Sequence, residues 1–218
     1  MASTKSKFFI IHVIVLFIAI ACVLMNGPMR NGLPIDNSVI ERISFISNHT
    51  LLWQSSWVLW MCCALGLLTF CVIIADEIKP DFKRTCGLLI VALGVAPDLA
   101  AEVLYAFIIT KAIAAGATED VFSILEITAS HLTGFLGNGL YNLGGLLLTC
   151  LALKEKVLKP WVAMWGIVAW VLGLLLSAAI AADSMKAAEF FTASSMVLST
   201  TWMLVFAYTV LRPKWITH

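Results

Sequence analysis

Apolar residues fall in six long runs, at 8–25, 51–75, 87–110, 132–153, 161–182 and 190–211, and the polar and charged residues gather between them. About 20 helical residues cross a hydrocarbon layer of about 30 Å, so each run predicts one membrane-spanning helix. The expected fold class is all-α: a polytopic integral membrane bundle of six transmembrane helices filling residues 1–218 as one domain, with short amphipathic segments on the outer surface.

The connections carry patterns of their own. Gly27, Pro28, Gly32 and Pro34 mark turns after the first run. Asp36, Asn37 or Ser38 is then placed to cap a short helix with Val39, Ile40, Ile43, Phe45 and Ile46 on its apolar face and Glu41, Arg42 and Ser44 on its polar face. The 112–131 connection resembles this one. SVIE at 38–41 and SILE at 123–126 are each followed by a histidine, His49 or His131, just before the next run, which predicts distant parallel repeats. DEIKPDFKRT at 76–85 reads as a solvated turn.

Composition agrees with the runs: 61% of the 218 residues are apolar and 12% charged, with a mean hydropathy of +0.97. The first run follows Lys5 and Lys7 as a signal peptide would, yet it exceeds the usual apolar length and NGPMRNG offers no small-x-small cleavage pattern, so it is expected to stay as a helix. Ten of the fourteen basic residues fall on one side, including Lys79, Lys83, Arg84, Lys154, Lys156, Lys159, Arg212 and Lys214; Arg30, Arg42, Lys111 and Lys186 fall on the other. The bias predicts that both termini are cytoplasmic, in a bacterial inner membrane or its equivalent. A net charge of +1 gives no reason to expect nucleic acid as a partner. The six cysteines form no C-x-x-C pair and read as packing residues.

One apolar run, VALGVAPDLAAEVLYAF at 91–107, carries Asp98 and Glu102 four apart, on one helix face. A carboxylate at the centre of a spanning helix costs about 2.5–3.5 kcal/mol, so both are expected to face the bundle interior. Pro97 precedes them and is expected to kink the helix and free the Leu93 carbonyl. In the next run His131, Asn138, Asn142, Gly145 and Thr149 share a stripe with Gly134, either as polar glue between helices or as ligand-facing groups. Gly166, Gly173, Ser177 and Ala181 predict a packing seam on the fifth helix, and the hydroxyls of the sixth are expected to bond their own backbone. Trp53 reads as part of an interfacial aromatic belt; Trp60, two turns deeper, is either lipid-facing or a cavity wall.

With both termini inside, Gln54, Glu102, Tyr105, His131, Asn138, Ser177, Ser194 and Ser195 fall in the outer half, with Asp98 and Asn142 near midplane. The pattern predicts a polar pocket open to the outside and ending near Asp98. No Lys or Arg lies within the apolar runs, so two neighbouring acids are expected to hold at least one proton between them. The candidate catalytic residues are Glu102, Asp98 and His131. The candidate ligand-binding residues are Tyr105, Asn138, Asn142, Gln54, Trp57 and Trp60. His49, His131 and Glu102 lack H-x-x-H or H-E-x-x-H spacing, and His12 lies toward the opposite side from His131, so no metal, haem or other cofactor is expected.

VALGVAPDLAAEVLYAF locally resembles the acid-bearing helix of fungal membrane-bound terpene cyclases, through its Ala-Leu start, Glu102 and Tyr105. The resemblance covers one helix of six, in a chain with fewer helices than that family and an additional acid at Asp98. It implies Glu102 as a proton donor. The function expected first is binding of, or acid catalysis on, a lipid-like, amphipathic or isoprenoid small molecule taken from among the membrane lipids. A proton- or cation-coupled small-molecule transporter is the alternative. A non-catalytic accessory subunit of an oligomer or larger membrane complex is the third reading.

Overall fold

The computed structural model describes residues 3–212, so Lys214 of the basic residues counted above lies outside the described residues. All six apolar runs are helices long and apolar enough to cross a membrane: α1 (Thr4–Asn26), α3 (Thr50–Asp76), α4 (Phe82–Ala114), α5 (Glu119–Lys154), α6 (Pro160–Ala181) and α7 (Met185–Val210). A short helix, α2 (Val39–Asn48), lies between the first two. The described residues contain no strand, and the chain is a multi-pass membrane protein.

Consecutive spanning helices pack side by side, and α1 closes against α7, so the six form a ring. Glycines set its tightest seam. Gly87 meets Gly144 and Gly94 meets Gly137, a step of seven on both antiparallel helices, bringing the backbones of α4 and α5 together. A methyl group on Gly94 would stand 2.6 Å from Tyr141 N and 2.7 Å from Gly137 O. Elsewhere a large side chain lies over a glycine: Trp170 over Gly145, Trp202 over Gly166, and Asn142 against Gly173. The Trp170 indole donates to Thr149 Oγ1 at 2.8 Å and that of Trp202 to Val162 O at 2.8 Å, so these contacts satisfy polar atoms as well as filling space.

Several expectations change in the folded chain. The 112–131 connection shrinks to residues 115–118, because Glu119 already starts α5, a helix of 36 residues and so about 54 Å long. SVIE and SILE are not equivalent. Glu41 closes a capping box with Ser38 at the start of α2, whereas Thr118 caps α5 and Glu126 lies two turns inside it. Arg42, expected on the polar face of α2, is buried and pairs with Glu126 at 2.6 Å, while Ile40 is exposed. The turn at 76–85 does more than meet solvent: Asp76 and Glu77 hold Lys7 at 2.5 Å each, Ile78 is buried, and Arg84 donates to the carbonyls of Ala75 and Ile78.

Trp53 is not a belt residue. It is buried, and its indole donates to Tyr105 O at 2.8 Å. The seam on α6 splits between neighbours, Gly166 facing α7 and Gly173 and Ser177 facing α5, while Ala181 is exposed. The sixth-helix hydroxyls of Thr192, Ser194, Ser195, Ser199, Thr200 and Thr201 do bond backbone carbonyls of their own helix. Helical structure continues through Pro97, and α4 widens into a π turn only at Leu104–Ile108.

Candidate functional site

At the centre of the ring is a cavity of about 70 Å³. Every spanning helix contributes to its wall: Ile18 from α1, Trp60 and Cys63 from α3, Asp98 from α4, Asn138, Tyr141 and Asn142 from α5, Trp170 from α6, and Ser195 and Ser199 from α7. Asp98 is the one charged side chain in that wall.

Local backbone geometry places Asp98 there. One turn beyond the Gly94–Gly137 contact, the Thr133 hydroxyl donates to Asp98 Oδ1. Thr133 belongs to a π-helical stretch, His131–Gly137, and the π turn of α4 starts two residues after Glu102, so wide turns flank the acids on both helices. Such turns rotate side chains out of α register and recur at functional sites.

Glu102 is buried, 3% exposed against 6% for Asp98, but it does not line the chamber. Its Oε2 has no hydrogen-bond partner. Three donors on α3 share that condition: Ser56 Oγ, Trp57 Nε1 and Trp60 Nε1. Trp60 belongs to both groups, as chamber wall and as an unpaired donor. Toward the α2 end, Trp57 stacks on Tyr105 with ring centroids 4.1 Å apart and planes 6° apart, and the Tyr105 hydroxyl reaches Glu126 O at 3.5 Å. The ion pairs found among the described residues lie at the ends of the bundle, at Lys7, Arg30 and Arg42, and none reaches Asp98 or Glu102.

Of the residues picked from sequence, the chamber gathers Asp98, Trp60, Asn138 and Asn142. Both asparagines are also glue. Asn138 Nδ2 donates to Gly173 O at 2.6 Å and Ser177 Oγ at 2.9 Å, and Asn142 Nδ2 to Asn138 O at 2.7 Å and Asn138 Oδ1 at 2.8 Å. Trp57 and Tyr105 form a wall beside the chamber rather than part of its lining. Gln54 is tied to Thr110 Oγ1 at 3.2 Å. His131 is not brought to the acids; its Nδ1 bonds Ile127 O at 3.0 Å, and His49 does the same with Phe45 O at 3.0 Å. Among the described residues no group of three His, Cys, Asp or Glu side chains is close enough to hold a metal ion.

Thr133, Tyr141, Cys63 and Ser199 were missed. A signal for Thr133 was present: glycines seven apart on both α4 and α5, with Asp98 four beyond one pair and Thr133 four before the other. No protein-family model, no curated protein and no solved structure matches this chain.

Proposed function

We propose that the protein is a cation- or proton-coupled membrane carrier whose working site is the central chamber. The observation that carries this reading is the position of Asp98: the one charged group in the wall of a small cavity to which every spanning helix contributes. A buried carboxylate without a Lys or Arg partner is costly to keep, and in membranes such residues mark ion and proton paths. A cavity of about 70 Å³ around a single carboxylate suits a proton or a small ion better than an isoprenoid chain. Glu102, one turn nearer the α2 end, is the second station, and exchange with that side passes the Trp57–Tyr105 stack. The bias of basic residues supports a reading in which that side is outside the cell and both termini are in the cytoplasm, in a bacterial inner membrane or its equivalent.

A second reading, binding of a hydrogen-bonding amphipathic molecule, is favoured by the unpaired Ser56, Trp57, Trp60 and Glu102 atoms, each of which costs about 1–3 kcal/mol while buried without a partner. Acid chemistry on such a ligand would fall to Glu102.

The test is proton entry into proteoliposomes loaded with a pH-sensitive dye after an external acid pulse. The wild type is expected to acidify the lumen faster than empty vesicles, and Glu102→Gln is expected to remove the difference. Equal rates for wild type and empty vesicles, with and without a sodium gradient, contradict the carrier reading.

A further inference from the structure

We propose that the end of the bundle carrying both termini binds the headgroup of an anionic phospholipid, through lysines on and beside two loops that the fold ties together. The surface is independent of the chamber.

The loops are 77–81, between α3 and α4, and 155–159, between α5 and α6. Lys79 N donates to Glu155 Oε2 at 2.8 Å, so the lysines of one loop stand beside those of the other: Lys79 and Lys83 beside Lys154, Lys156 and Lys159. All five are exposed, and among the described residues none forms a salt bridge. The acids at this end are committed to the protein's own groups. Asp76 and Glu77 hold Lys7, Asp81 accepts from Arg84 N at 2.7 Å, and Glu155 accepts from Lys79 N. Bases outnumber these acids here, whereas at the opposite end acids outnumber Arg30, Arg42, Lys111 and Lys186. The patch therefore keeps an unanswered positive charge.

Two aromatic side chains set its depth. Phe82 at the start of α4 is 81% exposed and Trp161 at the start of α6 is 53% exposed, each beside the lysines in sequence. Aromatic residues at the ends of spanning helices lie at headgroup level, which puts the lysines at the height of the lipid phosphates. Farther along the same helices the exposed Leu89 and Met164 offer apolar surface to the acyl chains.

The chemistry of the patch selects the lipid. An ammonium group has only donors to offer, and a phosphate diester has only acceptor oxygens and one negative charge. Basic clusters at a membrane surface gain from each such lysine. A zwitterionic lipid brings its own cation to the patch and gains less. Free phosphate makes no use of Phe82, Trp161 or the apolar surface below them, so the occupant is a lipid.

The experiment is thermal unfolding of the full chain in dodecyl maltoside micelles, followed by tryptophan fluorescence, with dioleoylphosphatidylglycerol, dioleoylphosphatidylcholine or inorganic phosphate added at matched ionic strength. Phosphatidylglycerol alone is expected to raise Tm, saturably, as for a ligand that binds only the folded state. Changing Lys79, Lys154, Lys156 and Lys159 together to glutamine is expected to move its half-saturating concentration to about tenfold higher or more. Lys111→Gln with Lys186→Gln, exposed lysines of the opposite end, is expected to leave it unchanged. Should the fourfold variant fail to fold, Lys154→Gln with Lys159→Gln decides, with a shift of about threefold in the same direction. An equal rise with both lipids overturns the proposal, as does an equal rise with inorganic phosphate. An unchanged midpoint in the lysine variants, or an equal shift in the Lys111, Lys186 variant, overturns it too.

Discussion

Thr133 donates its hydroxyl to Asp98 one helical turn beyond the contact in which Gly94 and Gly137 bring two helix backbones together. The glycines position the acid, because only helices this close allow so short a side chain as threonine to reach a carboxylate on the neighbour.

Gly94→Ala is therefore expected to destabilise the protein by about 1–3 kcal/mol, the usual cost of overpacking, since the added methyl meets backbone that cannot yield. Gly139→Ala, on the same helix as Gly137, meets only Ser177, at 3.5 Å, and is expected to be near neutral. Thermal unfolding in detergent checks the contrast, and equal losses would argue against the close seam.

The Arg42–Glu126 pair fastens α2 to α5 at the end of the bundle nearest Glu102. Arg42→Met alone strands a buried carboxylate and is expected to cost about 3–5 kcal/mol, while Arg42→Met with Glu126→Leu recovers most of the loss. A double-mutant cycle on unfolding temperature measures this. Additive losses would mean that the two side chains do not interact.

The capping box of α2 gives a pH prediction. The backbone N–H and hydroxyl of Ser38 hold the Glu41 carboxyl below its usual value. A depressed carboxyl contributes stability that is present above its unfolded value and lost as pH falls through the folded one. Amide exchange in the first turn of α2 is expected to be slow at neutral pH and to speed up, beyond the intrinsic pH trend, only below the normal glutamate range. Glu41→Gln is expected to remove that pH-dependent change.

The spans were legible because a membrane crossing imposes a length and a composition on the chain. The acidic pair was legible because lipid makes a carboxylate at Asp98 or Glu102 expensive. What escaped was register. Nothing in the runs states which helix each face of α5 meets: Asn138 and Asn142 share the chamber wall with Asp98 while the Asn138 amide bonds α6, and Thr133, which does reach Asp98, reads as one more hydroxyl. Trp53 sat at a plausible belt depth, and only the neighbouring Tyr105 carbonyl reveals it as a buried donor. Arg42 was assigned by polarity to the solvated face, since its partner Glu126 lies 84 residues away.

Trp53→Phe tests that buried bond. It keeps an aromatic ring and removes the donor to Tyr105 O, so a loss of about 1–3 kcal/mol in unfolding stability is expected. A tryptophan serving only as an interfacial anchor would tolerate the change with little loss.

The most direct test of the carrier reading uses Cys63, a native thiol in the chamber wall. In a variant with the other five cysteines changed to serine, a small charged thiol reagent added from the outside is expected to modify Cys63 in the folded protein, slowly, because the Trp57–Tyr105 side must open first. Labelling should follow opening and cease when the Arg42–Glu126 latch is replaced by a disulfide crosslink between α2 and α5. If Cys63 stays unmodified from either side until the protein unfolds, the chamber exchanges nothing with solution and Asp98 is a packing residue.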